Sequence, residues 1–200
     1  ILVFIALTAQ WIAPYDPIQV LLGKEPVKAR QDPCIHLFGC PATEPQHIMG
    51  IDGNVRDEFS RLLYGARLSL MIGFTTVTFA IVIGTVLGAL SGYFGGWIDN
   101  LIMRTMDVLL AFPSLLLAIA IVTVLGPGLQ NALLAIGIVS IPAYARVVRA
   151  SVLSVREMEY VSATRALGGD TMQILFRRIL PNALTPLIVQ GTLGIATAIL

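Results

Sequence analysis

Charged residues are scarce in this chain, at 12% of its 200 positions, while hydrophobic residues make up 56%. An ordinary soluble domain carries about 25% charged residues. Asp, Glu, Lys and Arg are absent from residues 68–98, 108–145 and 179–200. A helix needs about 20 apolar residues to cross the hydrocarbon core of a bilayer. The continuous apolar runs therefore predict an all-α, polytopic membrane protein, and the net charge of +1 gives no indication of nucleic-acid binding.

Residues that carry chemistry are equally scarce. The two histidines, His36 and His47, lie outside the apolar runs, and no Gly-x-Ser-x-Gly or His-Glu-x-x-His motif occurs. An intramembrane hydrolase would need such groups within its spans. A secondary transporter would usually show a buried charge and inverted repeats, and neither is visible. We therefore predict that the chain is not an enzyme, has no catalytic residue and holds neither a metal nor a cofactor.

The apolar runs divide the chain into three parts. Residues 1–13 read as the end of a first span, with the apolar region of a signal peptide as the alternative. Residues 14–67 read as a proline-rich extracytoplasmic loop with a short helix leading into the next span. Residues 68–200 form the membrane core, and Pro113 and Pro142 are expected to kink its helices. Its predicted spans cover about 68–90, 108–125, 129–145 and 179–200, with a short connection at 91–107 and a cytoplasmic loop at 150–178. Both ends of the sequence look cut, so we expect a shortened leading span and a missing closing span.

The distribution of basic residues predicts the orientation. Residues 145–178 contain six arginines against three acidic residues, a net charge of +3. Residues 14–61 contain five basic and seven acidic residues, a net charge of −2. Cytoplasmic loops carry the excess of Lys and Arg. Residues 145–178 are therefore predicted to lie in the cytoplasm and the proline-rich loop outside the cell, on opposite sides of the lipid bilayer.

Two patterns within the core predict helix contacts. Small residues recur every fourth position on one face of the 68–90 span, which favours a close approach by another helix. They are Ala80, Gly84, Gly88 and Gly92. At the start of the following helix, Arg104 and Asp107 are spaced i,i+3 and are expected to form an ion pair near the interface.

The cytoplasmic loop contains two short helices separated by glycines. The first runs from about 152 to 167 and ends at Gly168-Gly169, where a positive φ is expected. Asp170 begins the second, in which an apolar stripe is expected on one side and polar residues on the other. The stripe comprises Met172, Leu175, Phe176 and Ile179. Such a segment could rest on lipid headgroups or serve as a rigid knob for another protein.

The two cysteines lie six residues apart in the proline-rich loop, in "CIHLFGC". The oxidising exterior favours a disulfide between Cys34 and Cys40. The alternatives are free thiols or a metal site with His36 and His47, but C-x-H-x3-C-x6-H does not match the usual zinc spacings, so we predict no metal.

The segment "SATRALGGDTMQILFRRILPNAL" resembles the cytoplasmic loop motif of ATP-binding-cassette (ABC) importer permeases, Glu-Ala-Ala-x3-Gly-x9-Ile-x-Leu-Pro. Ser162, Ala163 and Thr164 stand at the Glu-Ala-Ala positions, Gly168 at the glycine, and Leu180-Pro181 at the Leu-Pro. Ser162, Thr164 and the residue at the Ile position, Arg178, depart from the motif. Other stretches, among them "DGNVRDEFSRLLYGARLSL", "SGYFGGWID" and "LGPGLQNALLAIGI", resemble the dipeptide/oligopeptide/nickel permease subfamily and its C-type subunit.

This resemblance implies a type I ABC importer permease fold, with 68–200 as the permease core. It implies a substrate path shared with a homologous partner permease, ATP and Mg bound by two cytoplasmic ATPase subunits, and delivery by an extracytoplasmic binding protein. Di- or oligopeptides are the implied substrates, with nickel or another small solute as the alternative. The loop 150–181 would couple the ATPases to the path. The coupling residues implied are Ser162, Ala163, Thr164, Arg165, Ala166, Leu167, Gly168, Asp170, Leu180 and Pro181.

Overall fold

The computed structural model describes residues 2–199, which form two compact units that meet between residues 71 and 72 of the chain. The second unit is helical, the first combines helix with a long loop, and within residues 2–199 the only β pairings are isolated bridges. The main helices are α1 (Leu2–Ile12), α2 (Glu58–Phe94), α3 (Gly96–Ala111), α4 (Ser114–Leu125), α5 (Leu129–Arg156), α6 (Glu159–Ala166), α7 (Thr171–Ile174), α8 (Leu180–Ala183) and α9 (Thr185–Ile199). A 3-10 turn at His36–Phe38 and a π-helical turn at Leu175–Ile179 complete them.

The loop between α1 and α2 has little regular structure but its own small apolar core. Leu21, Val27, Ile51 and Val55 are buried together, with Tyr15 packed against them. Six prolines interrupt the loop, so it cannot continue as a helix. The chain is instead held by turns and by short backbone pairings, such as the one between Cys34 and His47.

A buried polar cluster fixes the point where α2 begins. Asp57 precedes the helix and accepts a hydrogen bond from the Ser60 backbone N–H at 2.7 Å, which satisfies one of the free donors of the first turn. His47 is 1% exposed and lies with Nδ1 2.8 Å from Asp57 Oδ1. Tyr15 stacks on the His47 ring at a centroid distance of 5.0 Å, and the Ser60 hydroxyl accepts the Tyr15 backbone N–H. Tyr15 therefore belongs to the loop core as well as marking the end of α1.

The helix α2 is longer than the sequence predicts. The expected leading helix and the span 68–90 form one 37-residue helix, which also absorbs the first part of the expected connection 91–107. At about 1.5 Å per residue it is longer than the bilayer core is thick. Gly95, at φ 65°, ends α2, and α3 starts directly at Gly96. The prediction of a 17-residue connection was wrong because two glycines suffice for the turn.

Proline has different effects in the two places where a kink is predicted. The residue before a proline is driven towards extended backbone, and Phe112 has φ −93° and ψ 140°. The helix accordingly ends at Ala111, and α4 starts after Pro113 at an angle of 95° to α3. The predicted continuous span 108–125 was therefore wrong. Pro142 lies within α5, which continues past the predicted end at residue 145 to Arg156.

Within the described residues 2–199, two helices are long and apolar enough to cross a membrane, α2 and α5. Two pairs of consecutive helices, each bent at a short break, could each form one further span and would raise the number to four. They are α3 with α4, and Thr171–Ala183 with α9, which meet at 54°. The short apolar helix α1 lies outside this count. The last predicted span, 179–200, thus consists of α8 and α9 with a bend at Leu184.

In the second unit, α5 is the central helix. Ala145, Val148 and Val152 are completely buried, and α3, α4, α8 and α9 all pack against α5. The predicted small-residue face of α2 also meets α5. A methyl group at Gly84, Gly88 or Gly92 would lie 3.0 Å or less from α5 atoms, so the two backbones approach more closely than side chains would allow.

Candidate functional site

The turn between α6 and α7 has the geometry of a glycine-terminated helix. The Gly168 N–H donates to the Arg165 carbonyl at 3.0 Å, and the Gly169 N–H donates to the Thr164 carbonyl at 3.1 Å. Gly168 has φ 80°, in the left-handed region. This pair of bonds is the Schellman motif, and it fixes the direction in which the chain leaves α6. A Cβ at Gly169 would lie 2.9 Å from the Thr164 oxygen, so the turn requires glycine there and a residue that tolerates positive φ at position 168.

The second helix starts at Asp170, as the sequence predicts. The Asp170 carboxylate accepts the Met172 N–H at 3.0 Å and caps the first turn. The chain then passes through a π-helical turn in which the Leu180 N–H donates to the Leu175 carbonyl. Pro181 has no N–H to offer the preceding turn, which favours such an irregularity at this point.

This π-helical turn changes which side chains are buried. Ile174, Leu175 and Ile179 are buried, whereas Met172 and Phe176 are 50% and 57% exposed. The predicted stripe of four was therefore wrong. An i→i+5 turn holds more residues than an α-helical turn, so a helical wheel drawn at 3.6 residues per turn misplaces the side chains on either side of it.

A small hydrogen-bond network joins the two helices of the segment. The Tyr160 hydroxyl donates to the Arg178 carbonyl at 3.2 Å. The Asn182 side-chain amide donates to that carbonyl at 2.8 Å and to the Tyr160 hydroxyl at 3.2 Å. The helix α6 is therefore fixed to the end of the π-helical turn as well as through Gly168. Nothing in the spacing of these residues indicates the network, because it depends on the turn that folds α6 back.

Most of the residues that the resemblance implies for coupling lie at the surface. The exposed ones are Ser162, Ala163, Arg165, Ala166, Leu167, Gly168, Asp170 and Pro181. Thr164 and Leu180 are half-buried, and Thr164 lies under the Gly168-Gly169 turn. Leu167 is 88% exposed at the tip of the turn, and Met172 and Phe176, five and nine residues later, are also exposed. The segment thus presents a rigid surface that is partly apolar.

Ion pairs tie α5 to the helices around it. The Arg149 guanidinium makes a bidentate contact with the Asp99 carboxylate, with Nε 2.6 Å from Oδ1, and the Ser91 hydroxyl donates to the same carboxylate. Arg156 donates to the carbonyls of Gly92 and Tyr93 at 3.1 and 3.2 Å, at the C-terminal end of α2. Arginine at a helix C-terminus stabilises the last carbonyls. Through these contacts, α2, α3 and α5 are linked next to the start of residues 150–181, the predicted coupling segment.

The predicted pairing of Arg104 with Asp107 was wrong. Asp107 instead accepts a hydrogen bond from Arg146 of α5 at 2.6 Å. Both residues of this pair are exposed. A neighbour on another helix can approach in a better geometry than one a single turn away, and helical periodicity alone does not reveal it.

The structure joins Cys34 and Cys40 in a disulfide with Cα atoms 5.4 Å apart. This separation lies within the usual range for such a bond. His36 contacts the Glu44 carbonyl, and His47 faces Asp57 and Glu25. The sulfur atoms lie near the Glu44 carboxylate, but a disulfide does not supply thiolate ligands. The two histidines and two cysteines therefore do not form one cluster.

Comparison with known proteins shows the family. The family described as "binding-protein-dependent transport system inner membrane component" matches residues 84–200, which include α5, the coupling segment and α9. This chain belongs to that family. As an inner membrane component it is an integral membrane protein, which agrees with its two long apolar helices.

Relatives of this inner membrane component are peptide permeases by name. It is 54% identical over 172 residues to the dipeptide transport system permease protein DppC of Alkalihalophilus pseudofirmus, covering 86% of this chain and 56% of the relative. It is 46% identical over 200 residues to the di/tripeptide transport system permease protein DppC of Pseudomonas aeruginosa, covering 100% of this chain and 63% of the relative. The chain thus spans roughly three fifths of the length of these relatives.

A solved structure shares the fold. A chain of the MetNI methionine ABC transporter, determined in inward-facing conformations, superposes with a TM-score of 0.61 at 24% identity, over 69% of either chain. The inner membrane component therefore has the helical fold of an ABC transporter permease, as the sequence predicts.

Proposed function

We propose that this chain is a transmembrane permease subunit of an ABC importer for di- or oligopeptides. The observation that carries the proposal is the coupling segment: a capped, glycine-terminated turn with its tip exposed, attached directly to α5 on one side and to α9 on the other. The match of 84–200 to the inner membrane component family and the names of the relatives support it.

The partners follow from this role. A homologous permease completes the substrate path, an extracytoplasmic binding protein delivers the substrate, and two cytoplasmic ATPase subunits dock on the coupling segment. ATP and Mg bind in those ATPase subunits. The permease itself supplies no catalytic group and binds no cofactor. The exposed side chains of Leu167, Met172 and Phe176 supply apolar area for the docking contact, and Arg165 and Arg177 flank it with positive charge.

Coupling requires that a movement of the docked ATPase displaces the membrane spans, rather than only deforming the segment between them. The Schellman turn and the Tyr160–Arg178–Asn182 network hold α6 and the following helix together as one piece. Val161, Ile174 and Leu175 anchor that piece in the core that α5 organises. A push on the tip is then transmitted to α5 and α9 as a rigid displacement.

The test uses two substitutions at one position. Gly168→Val places a β-branched residue at φ 80°, which is strongly disfavoured, and should misdirect the second helix. Gly168→Asn is the matched control, because Asn tolerates the left-handed region. No neighbouring atom lies within 4 Å of a Cβ at this position, so only the backbone conformation is tested.

With the partner subunits co-expressed, Gly168→Val should reach the membrane normally but lose ATP-driven peptide uptake, and the ATPases should co-purify poorly or hydrolyse without transport. Gly168→Asn should retain most of the uptake, and Arg177→Ala should show a milder defect. Normal uptake by a normally expressed Gly168→Val protein would reject the coupling role and favour a segment that merely rests on lipid headgroups.

The orientation is tested separately. A cysteine at the exposed Gln173, in a protein whose native pair is replaced by serine, should react with impermeant thiol reagents only from the cytoplasmic side. Reaction from outside intact cells would reverse the topology and remove the coupling proposal with it.

A further inference from the structure

Two faces of α9 differ sharply in polarity. Gln190, Gly194 and Thr197 follow one another at i, i+4 and i+7 and so share a face. Ile188 lies about half a turn away and lines a cavity of about 410 Å³ whose other walls are apolar except for Thr85. An apolar face of this kind can pack against lipid or against another apolar helix.

The polar face of α9 borders a second cavity, of about 200 Å³, whose opposite wall is α5. Ser140, Ala143 and Tyr144 of α5 line it, together with Gln190, Gly194 and Thr197. The absence of a side chain at Gly194 makes room for the Tyr144 hydroxyl, since a Cβ there would lie 2.0 Å from that oxygen. Ser140 also lines a neighbouring cavity of about 270 Å³ between α4 and α5, where the other α5 residues, Ile136 and Val139, are apolar.

The polar groups in this groove are only partly satisfied. The hydroxyls of Ser140 and Thr197 donate to backbone carbonyls within their own helices and keep free lone pairs. Within the part of the chain that the structure describes, the Tyr144 hydroxyl and the Gln190 carboxamide make no hydrogen bond. Unpaired polar groups facing hydrocarbon are costly. These groups therefore offer hydrogen bonds to water or to a polar ligand in the groove.

We propose that the groove between α5 and α9 lines the substrate path and that Gln190 and Tyr144 bind the peptide backbone. This inference rests on the proposed function. A carboxamide presents a donor and an acceptor side by side, which matches the C=O and N–H of a peptide unit, and a phenol can serve as either. None of the lining residues is charged. Such a site reads the backbone rather than side chains, so peptides of different sequence would be held equally.

Cysteine labelling of the assembled complex in lipid nanodiscs tests the water-lined groove. In a protein with Cys34→Ser and Cys40→Ser, single cysteines at Gln190 and Thr197 should react with a hydrophilic thiol reagent on the order of tenfold faster than one at Ile188. The thiolate is the reactive form, and apolar surroundings suppress it. A dipeptide should slow labelling of the two groove positions only. Equal rates at the three positions would overturn the groove as a path, and labelling that dipeptides do not slow would overturn the peptide contact.

Uptake by Gln190→Leu tests the backbone contact. Loss of one or two hydrogen bonds should lower uptake about three- to tenfold for dipeptides of different side chains alike, while Ile188→Leu should transport normally. Wild-type uptake by Gln190→Leu, or a loss confined to one peptide sequence, would contradict the assignment. Failure of the unmodified complex to take up any peptide would instead reject the proposed function, and the labelling pattern would still show whether the groove contains water.

Discussion

The close approach of α2 and α5 at Gly88 gives a prediction with a calculable magnitude. At Gly88, a Cβ would lie 2.4 Å from the Ala145 carbonyl oxygen, 2.9 Å from Val148 Cβ and 3.0 Å from the Arg149 backbone nitrogen. Ordinary van der Waals contact begins at 3.4 Å. Because two of the three atoms belong to the backbone of α5, no side chain can move aside to accommodate a methyl group.

Gly88→Ala should therefore separate α2 and α5 locally by about 1 Å, the difference between 2.4 Å and ordinary contact. Overpacking of a well-packed interior costs about 1–3 kcal/mol, and the backbone contact places this substitution in the upper part of that range. The shift would also disturb Arg149, which holds Asp99.

Gly65→Ala is the matched control in the same helix. No atom lies within 4 Å of a Cβ at Gly65, so the substitution should gain helix propensity, up to about 1 kcal/mol, without a clash. Unfolding of purified protein by sodium dodecyl sulfate in mixed micelles, followed by circular dichroism, compares the variants. Gly88→Ala should unfold at clearly lower denaturant than the wild type, and Gly65→Ala at the same or higher. If Gly88→Ala unfolds at the same denaturant concentration as Gly65→Ala, the small-residue face does not set the distance between α2 and α5.

Three further predictions concern charges and sulfur. Asp99→Asn should lower the free energy of unfolding by about 1–2 kcal/mol, an effect that the partial exposure of Arg149 reduces. The double exchange Asp99→Arg with Arg149→Asp should recover part of this loss. An unchanged unfolding transition for Asp99→Asn would contradict a stabilising ion pair between Asp99 and Arg149. Mass spectrometry of non-reduced peptide 31–46 should find Cys34 and Cys40 joined, with a mass two hydrogen atoms lower than that of the reduced peptide, and two freely alkylated thiols would refute the bond. Burial raises the pKa of Asp52, but hydrogen bonds from two backbone N–H groups and a nearby guanidinium outweigh it and lower that pKa below its ordinary value. The ionised Asp52 carboxylate therefore stabilises the folded loop above its ordinary pKa, and this stabilisation is lost as the pH falls below about 5 towards the lowered pKa of the folded protein. Hydrogen exchange of the loop amides should become faster over this range, and in Asp52→Asn the exchange should depend less on pH.

Several features of the site could be predicted because their cause is local. The turn at Gly168 requires a residue that tolerates positive φ, and a glycine after a helix-prone segment indicates it. The cap at Asp170 follows from a carboxylate before the first helical turn. The small-residue face of α2 follows from a four-residue repeat, which places its members on one side of any helix.

The sequence by itself thus determined that the chain is helical and crosses a membrane, since its long runs without charge are continuously apolar, whereas the strands of a membrane barrel alternate. It also located the exposed glycine turn. Only the tertiary structure decided which arginine pairs with which aspartate, because Arg146–Asp107 and Arg149–Asp99 join residues 39 and 50 positions apart. The same holds for the groove between α5 and α9 and for the side chains buried around the π-helical turn. Helical periodicity states which residues share a face, but packing alone determines what that face meets, and the energy of an ion pair or a hydrogen bond depends on the partner that packing supplies.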